Sequence, residues 1–478
     1  MNNVKRIICT LILLSMLLSL LCACSFIKKP GEEGGKEEEK VTEDEGTKIG
    51  NPSAIGATSD PEDGLPIMKI TTDSGEDIVT KEYQGAAVSS EGSSVEECNF
   101  EGLRAEVKCR GNFTFTGTKK KSFRVKFEEK INLYNQGKGA AKSWVLMAEH
   151  CDQSFLRNHI AFTMARVLTN IDYVSSSSYI HLYINDEYRG IYNVVEQHQV
   201  QKNRVNIEED PEVIDTDYFI EWDEYANEDG NIEGLNWFRC GGNKFLVKSD
   251  FMTEEKCAFL EQYFNETNEA IIGGAQRDIK KYIDIDSFVD MYILHEVTKN
   301  MDVGWSSFFL VKNAEGKISC TCPWDFDLSF GNDERLDGGS FENLYAGNSE
   351  YAFGWGALEQ GNEWFCYLMR QKWFVKLVIA RWNEVKNDLE KVALEETDRI
   401  LLCFGDDIAN NFKVWNIFGK KINQEPPQIR ELKSYEEHVK YFREWTVSRI
   451  EWIDEYFSNN DTKYLTTEYE EEDWWRPW

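Results

Sequence analysis

The feature that most restricts this chain is a change of hydrophobic period near residue 252. Before it, short stretches alternate as strands do, over 67–72, 105–110 and 122–127. In the last of these, Phe123, Val125 and Phe127 share one face and Arg124 and Lys126 the other. Residues 154–168 have helical spacing, with Phe155, Ile160, Met164 and Val167 at the apolar positions. Residues 179–184 and 188–195 flank an Asn185-Asp186 turn and read as a hairpin, and strands are expected again at 217–222 and 244–249. After residue 252 the period is helical, over 253–270, 276–299, 363–400 and 434–457. One strand-turn-strand, 306–312 and 317–322, interrupts it. The pattern predicts an α+β, two-lobed fold, β-rich over about 64–250 and helical over about 251–458. Ligands are expected where the two parts meet.

The N-terminus carries an address rather than a fold. Lys5 and Arg6 precede an apolar run over 7–21 that is short for a membrane span, which is the form of a signal peptide. The run ends in Leu21-Cys22-Ala23-Cys24, the bacterial lipoprotein cleavage pattern. Residues 1–23 are therefore expected to be removed and Cys24 lipidated, leaving the protein outside the cytoplasm on the membrane without spanning it. Residues 24–63, rich in Gly, Glu, Lys and Asp, cannot bury enough apolar surface to order themselves and read as an acidic flexible tether. Residues 459–478 form an acidic, aromatic tail without a period. The net charge of −31 repels polyanions and argues against a nucleic-acid partner.

Nine cysteines follow Cys24, an odd number with scattered spacing, so at least one is unpaired or pairs between chains. Cys320 and Cys322 form the one close pair and read as small buried apolar residues rather than a zinc site. The six histidines lack ligand spacing, and no phosphate-cradling glycine loop or nucleophile elbow is present.

The strongest chemical signal is Trp324-Asp325-Phe326-Asp327, just after the second strand of the 306–322 hairpin. Two carboxylates so spaced can hold a hard divalent cation, although Asp is also common in turns. Asp302 lies immediately before the first strand. A hairpin brings its ends together, so Asp302 and Asp325 are expected to be neighbours. Phosphoryl transfer needs such a pair, one carboxylate to orient an acceptor hydroxyl and take its proton, the other to carry a metal.

Several segments taken in order resemble the CotH-like (spore-coat protein H) atypical kinase family. They are Arg110-Gly111-Asn112, the run from Lys120 to Lys126, Trp144-Val145-Leu146 and Leu156-Arg157-Asn158. The hairpin from Tyr183 to Tyr192 followed by Glu196, the stretch 324–332, and the segment from Trp445 to Asp454 complete the series. The resemblance spans residues 64–458. It implies an atypical protein-kinase-like fold using ATP and Mg²⁺ or Mn²⁺, with Asp302 as the catalytic carboxylate and Asp325 and Asp327 as metal ligands. It implies a strand lysine on the nucleotide phosphates, Lys126 or alternatively Lys121. Glu196 either pairs with that lysine, meets the ribose or sits in a structural salt bridge. Arg110 and Arg157 either touch phosphate or pair with acids. Where kinases have an asparagine as second metal ligand, this chain has Ser307, a weaker donor.

The expectation is thus an exported, lipid-anchored kinase acting on a basic, Ser/Thr-rich protein. The rival is a catalytically weak or inactive module of the same fold, with an adhesive, structural or carbohydrate-binding role.

Overall fold

The computed structural model describes residues 64–466 apart from 94–95, 136–138, 229, 349–351 and 353–360. The expected signal peptide, the tether with Cys24, and the tail beyond residue 466 lie outside the described residues. The architecture is α+β. Seven strands form a closed barrel in the order β1-β2-β3-β4-β5-β7-β6. They are β1 (Ile67–Thr72), β2 (Gln84–Glu91), β3 (Phe100–Arg110), β4 (Ser122–Ile131), β5 (Ala141–Met147), β6 (Ser177–Ile184) and β7 (Glu187–Glu196). Neighbours pair antiparallel except at the seam, where β1 runs parallel to β6. Closure leaves no open edge. The barrel is filled by residues such as Ile70, Val107, Val125, Trp144, Leu182 and Val194, all fully buried. The alternation of β4 is as its sequence indicates, Phe123, Val125 and Phe127 inward and Arg124 and Lys126 outward. The β6–β7 turn sits on Asn185 and Asp186, both at positive φ (49° and 62°), the conformation that a two-residue hairpin requires.

A second sheet has the order β12-β11-β8-β10-β9. Its strands are β8 (Tyr218–Trp222), β9 (Trp237–Cys240), β10 (Asn243–Val247), β11 (Phe308–Lys312) and β12 (Ile318–Thr321). The predicted hairpin 306–322 is β11–β12, but β11 also pairs with β8 from before the expected boundary. The line near residue 250 therefore does not divide strands from helices: burial on both faces makes β8 a central strand that needs partners on each side.

Nine helices accompany the sheets among the described residues. Two are single turns, α1 (Phe113–Thr116) and α8 (Pro427–Arg430); the others are α2 (Arg157–Ala165), α3 (Glu254–Gly273), α4 (Gln276–Tyr282), α5 (Ile285–Thr298), α6 (Glu363–Met369), α7 (Lys372–Val414) and α9 (Tyr435–Thr466). The expected helix 276–299 is broken at Ile283, which bridges to Ile318, and restarts where the Asp284 side chain caps Ser287 N. The 363–400 expectation splits likewise into α6 and the 43-residue α7. No described helix is long and apolar enough to cross a membrane.

α7 packs on α2, α5, α6 and α9, and its C-terminal end docks on the barrel strand β7. There Asn411 Oδ1 accepts from Ile191 N (3.1 Å) and from Lys120 Nζ (3.0 Å). Trp415 Nε1 donates to Arg189 O (2.8 Å). Gly190 between them has φ +91°, and a Cβ there would stand 2.4 Å from Asn411 Oδ1. Eight of the nine described cysteines are buried, Cys320 and Cys322 among them.

Candidate functional site

A cavity of about 650 Å³ opens between the outer face of β3–β4, the segment 197–199 that follows β7, and the second sheet. The ends of the β11–β12 hairpin contribute Asp302 and Ser307 from one side and Trp324, Asp325 and Asp327 from the other. The hairpin register, Phe309 opposite Thr321, is what brings these two segments together.

The main chain of the Asp-x-Asp turn is pinned by three asparagine side chains from separate elements. Asn300 Nδ2, after α5, donates to Asp325 O (3.2 Å). Asn158 Oδ1, on α2, accepts from Phe326 N (2.8 Å). Asn332 Nδ2 donates to Asp327 O (2.7 Å) and to Cys151 O (2.7 Å). Asp325 is thereby held at φ 64°, a left-handed conformation that Asp tolerates better than most residues but still at a cost. The Ser307 hydroxyl, itself at φ 61°, lies 3.5 Å from Asp325 Oδ2.

The three aspartates are half-buried and crowd one another. Burial, then the charge of Asp325, pushes the Asp302 carboxyl up to about 7. Burial raises Asp325 while Arg110 pulls it back. Asp327 rises well above the ordinary range through burial, Asp325 and Glu149. Glu149 also lines the cavity and is pushed to about 7 by burial and then by Asp152. Its two oxygens accept from Asn193 Nδ2 (3.0 Å) and Asn158 Nδ2 (3.0 Å), so Asn158 links Glu149 to the Asp-x-Asp backbone.

Three crowded aspartates on one side of a partly enclosed cavity are chemistry suited to a hard cation. Among the described residues, however, no set of three or more His, Cys, Asp or Glu stands in ligating geometry. The residues fit a Mg²⁺ or Mn²⁺ ion that takes one or two carboxylates from Asp325 and Asp327 and its other oxygens from water and phosphate.

The remaining expected residues fall elsewhere. Lys126 does not line the cavity. It points from the outer barrel face, 3.4 Å from Glu106 Oε2 and over the Tyr83 ring. Arg124, two residues earlier on the same face, is the β4 cation that does line it. Lys121 is also outside; its ammonium is taken by Phe115 O (2.6 Å) and Thr118 O (2.5 Å). Glu196 is fully buried with Arg204 Nη1 2.6 Å from its Oε1, a contact that is ionic rather than a directed hydrogen bond. Its Oε2 accepts from Ser176 N (2.9 Å), so of the roles expected for Glu196 the structural salt bridge is the one observed. Arg157 pairs with Asp152 and donates to Ser329 O (2.9 Å); it braces the chain after Asp327 from outside the cavity. Arg110 does line the cavity, stacked 5.6 Å over Trp324.

Glu149, Arg124 and the asparagine clamp were not assigned roles from sequence. In the sequence Arg124 is visible as an outward position of β4 and Asn158 stands in the Leu156-Arg157-Asn158 segment; Glu149 carries no signal.

Comparison with known proteins gives one result of weight. The family model described as CotH kinase protein matches residues 107–453, which include the barrel from late β3, the cavity and most of the helices. No curated protein matches this chain.

Proposed function

This chain belongs to the CotH kinase family, and from that premise we propose that it is an ATP-dependent phosphotransferase acting on protein hydroxyls. The observation that carries the reading is the meeting of Asp302 with Asp325 and Asp327 in one cavity. In this reading the barrel and the helical part with the second sheet are the two lobes of a kinase-like fold, with the nucleotide between them. Asp302 accepts the proton of the acceptor hydroxyl as its oxygen bonds to the γ-phosphorus and the bond to the β-phosphate oxygen breaks, releasing ADP. Asp325 and Asp327 hold a divalent cation, which when bound neutralises charge on the phosphates. The asparagine clamp keeps both carboxylates in place against their mutual repulsion.

Asp325→Ala is expected to abolish Mg²⁺-dependent ATP binding in isothermal titration while the circular-dichroism melt stays cooperative. Loss of like-charge crowding raises or preserves its midpoint. Wild-type ATP affinity in that variant removes Asp325 from the site.

A second reading, a catalytically silent module, draws on one observation: Ser307 offers a hydroxyl turned to Asp325 where a kinase would offer an amide oxygen. Wild-type domain that binds no ATP with Mg²⁺ or Mn²⁺ and labels no basic, Ser-rich protein decides for it.

Export and anchoring complete the proposal, supported by Lys5-Arg6, the apolar run and Cys24. Residues 24–63 then act as a tether. Cys24→Ala is expected to leave the membrane fraction or to accumulate unprocessed; unchanged fractionation and migration contradict the anchor.

A further inference from the structure

The β3–β4 wall of the cavity holds two arginines in an unusual state. The chain has 84 acidic residues against 53 basic ones, so a half-buried arginine ordinarily finds a carboxylate. Among the described residues, the Arg110 side chain makes no hydrogen bond and no ion pair; its guanidinium only stacks on Trp324. Arg124 makes one long contact, Nη2 to the neutral Ser143 Oγ at 3.4 Å, and its buried Nε has no partner. Both side chains rise from the outer barrel face on neighbouring strands, where Arg110 pairs with Ser122 and Lys108 with Arg124 in register. They are close enough to repel each other, while Asp325 attracts Arg110 across the cavity. The other cations lining the cavity are engaged: Lys248 holds Glu221 (2.8 Å), Arg335 pairs with Asp333 (2.6 Å), Lys81 donates to Asn112 Oδ1 (3.2 Å) and Lys108 covers the Tyr83 ring.

Two guanidinium groups facing one cavity with unmet donors form an anion cradle. Each presents a planar fork matched to paired phosphate oxygens. A carboxylate ligand brings too little charge for both forks and meets Asp325 and Asp327 in the same cavity. A chain of two or three phosphates has oxygens enough for both forks and for a cation on those carboxylates. We propose that Arg110 and Arg124 together grip an oligophosphate chain, in the place that a strand lysine was expected to fill. The proposal rests on the reading of this cavity as a phosphate-transfer site, but concerns the phosphate chain itself, whether that of a nucleotide or inorganic.

Isothermal titration of the full chain tests it, with Mg²⁺ present and inorganic tripolyphosphate, ATP and AMP as separate ligands. The variants are Arg110→Gln, Arg124→Gln and, as a control outside the cavity, Lys126→Gln. Wild type is expected to bind tripolyphosphate and ATP and to bind AMP far more weakly. Each arginine variant is expected to lose roughly 10- to 100-fold in affinity for both oligophosphates, as hydrogen bonds to charged groups contribute. Lys126→Gln is expected to match wild type. Should Arg124→Gln melt early, Arg124→Lys keeps the charge and loses the fork, and an intermediate affinity is expected. Tripolyphosphate binding without ATP binding supports the cradle and refutes the nucleotide. ATP binding that survives both arginine substitutions refutes the cradle and leaves the kinase reading standing. Binding of neither ligand by wild type overturns both.

Discussion

Asp302→Ala is expected to bind ATP about as well as wild type and to transfer phosphate roughly 10²–10⁴-fold more slowly, the usual cost of losing a positioned general base. Its position separates the two effects. Asp302 stands at the start of the hairpin, outside the Asp-x-Asp pair, and its main chain is set by the turn in which Asn300 Oδ1 accepts from Asp302 N (3.1 Å) and Asp302 O accepts from Trp305 N (2.9 Å). Removing its side chain leaves Asp325 and Asp327 clamped as before. It also removes a carboxyl that burial, and then the charge of Asp325, push up to about 7, so nucleotide binding should not weaken. Transfer of label from γ-labelled ATP, alongside titration of ATP, reads both quantities. An equal fall in binding and transfer would place Asp302 among the cation ligands instead.

Glu196→Ala should act on the fold and leave the chemistry alone. Arg204 and Glu196 are each fully buried, and the guanidinium also donates to Gly139 O (3.1 Å) and Asn203 O (2.7 Å) and lies over the Trp144 ring. Deleting the carboxylate strands a buried cation, a change that typically costs about 3–5 kcal/mol. A large drop in denaturation midpoint is expected, with unchanged ATP affinity in the protein that remains folded. A stable variant with weakened ATP binding would return Glu196 to the nucleotide.

These two residues also show what the sequence could and could not reveal. Asp302 and Asp325 could be paired from sequence because a hairpin is local: its ends meet wherever the rest of the chain goes. Glu196 could not be assigned, since its partner Arg204 arrives from an irregular segment without a period to read. For the basic residues of β4, alternation gave the face correctly but not the position along it. Arg124 and Lys126 share that face, and about 6.6 Å of strand separates them, enough to put one in the cavity and the other outside. The barrel was hidden for a similar reason. Its seam is the parallel pairing of β1 with β6, a contact between strands more than 100 residues apart, and β2 is written largely in Gly, Ala and Ser, which have weak strand preference.

The long helix α7 has a mechanical consequence. At 1.5 Å per residue its 43 residues make a rod about 65 Å long. One end is bolted to the barrel at Ile191 and Arg189, with Lys120 as the rivet: its buried ammonium is held by Ala148 O, Ile191 O and Asn411 Oδ1 and flanked by the Phe155 and Tyr192 rings. The rest of the rod is seated on α2, α5, α6 and α9. Swinging the barrel away from those helices would either bend the rod or pull the buried Lys120 nitrogen from its three acceptors, and each is costly. The molecule is therefore built as a braced frame rather than a jaw. Traffic through the cavity must then use its opening rather than a parting of barrel and helices.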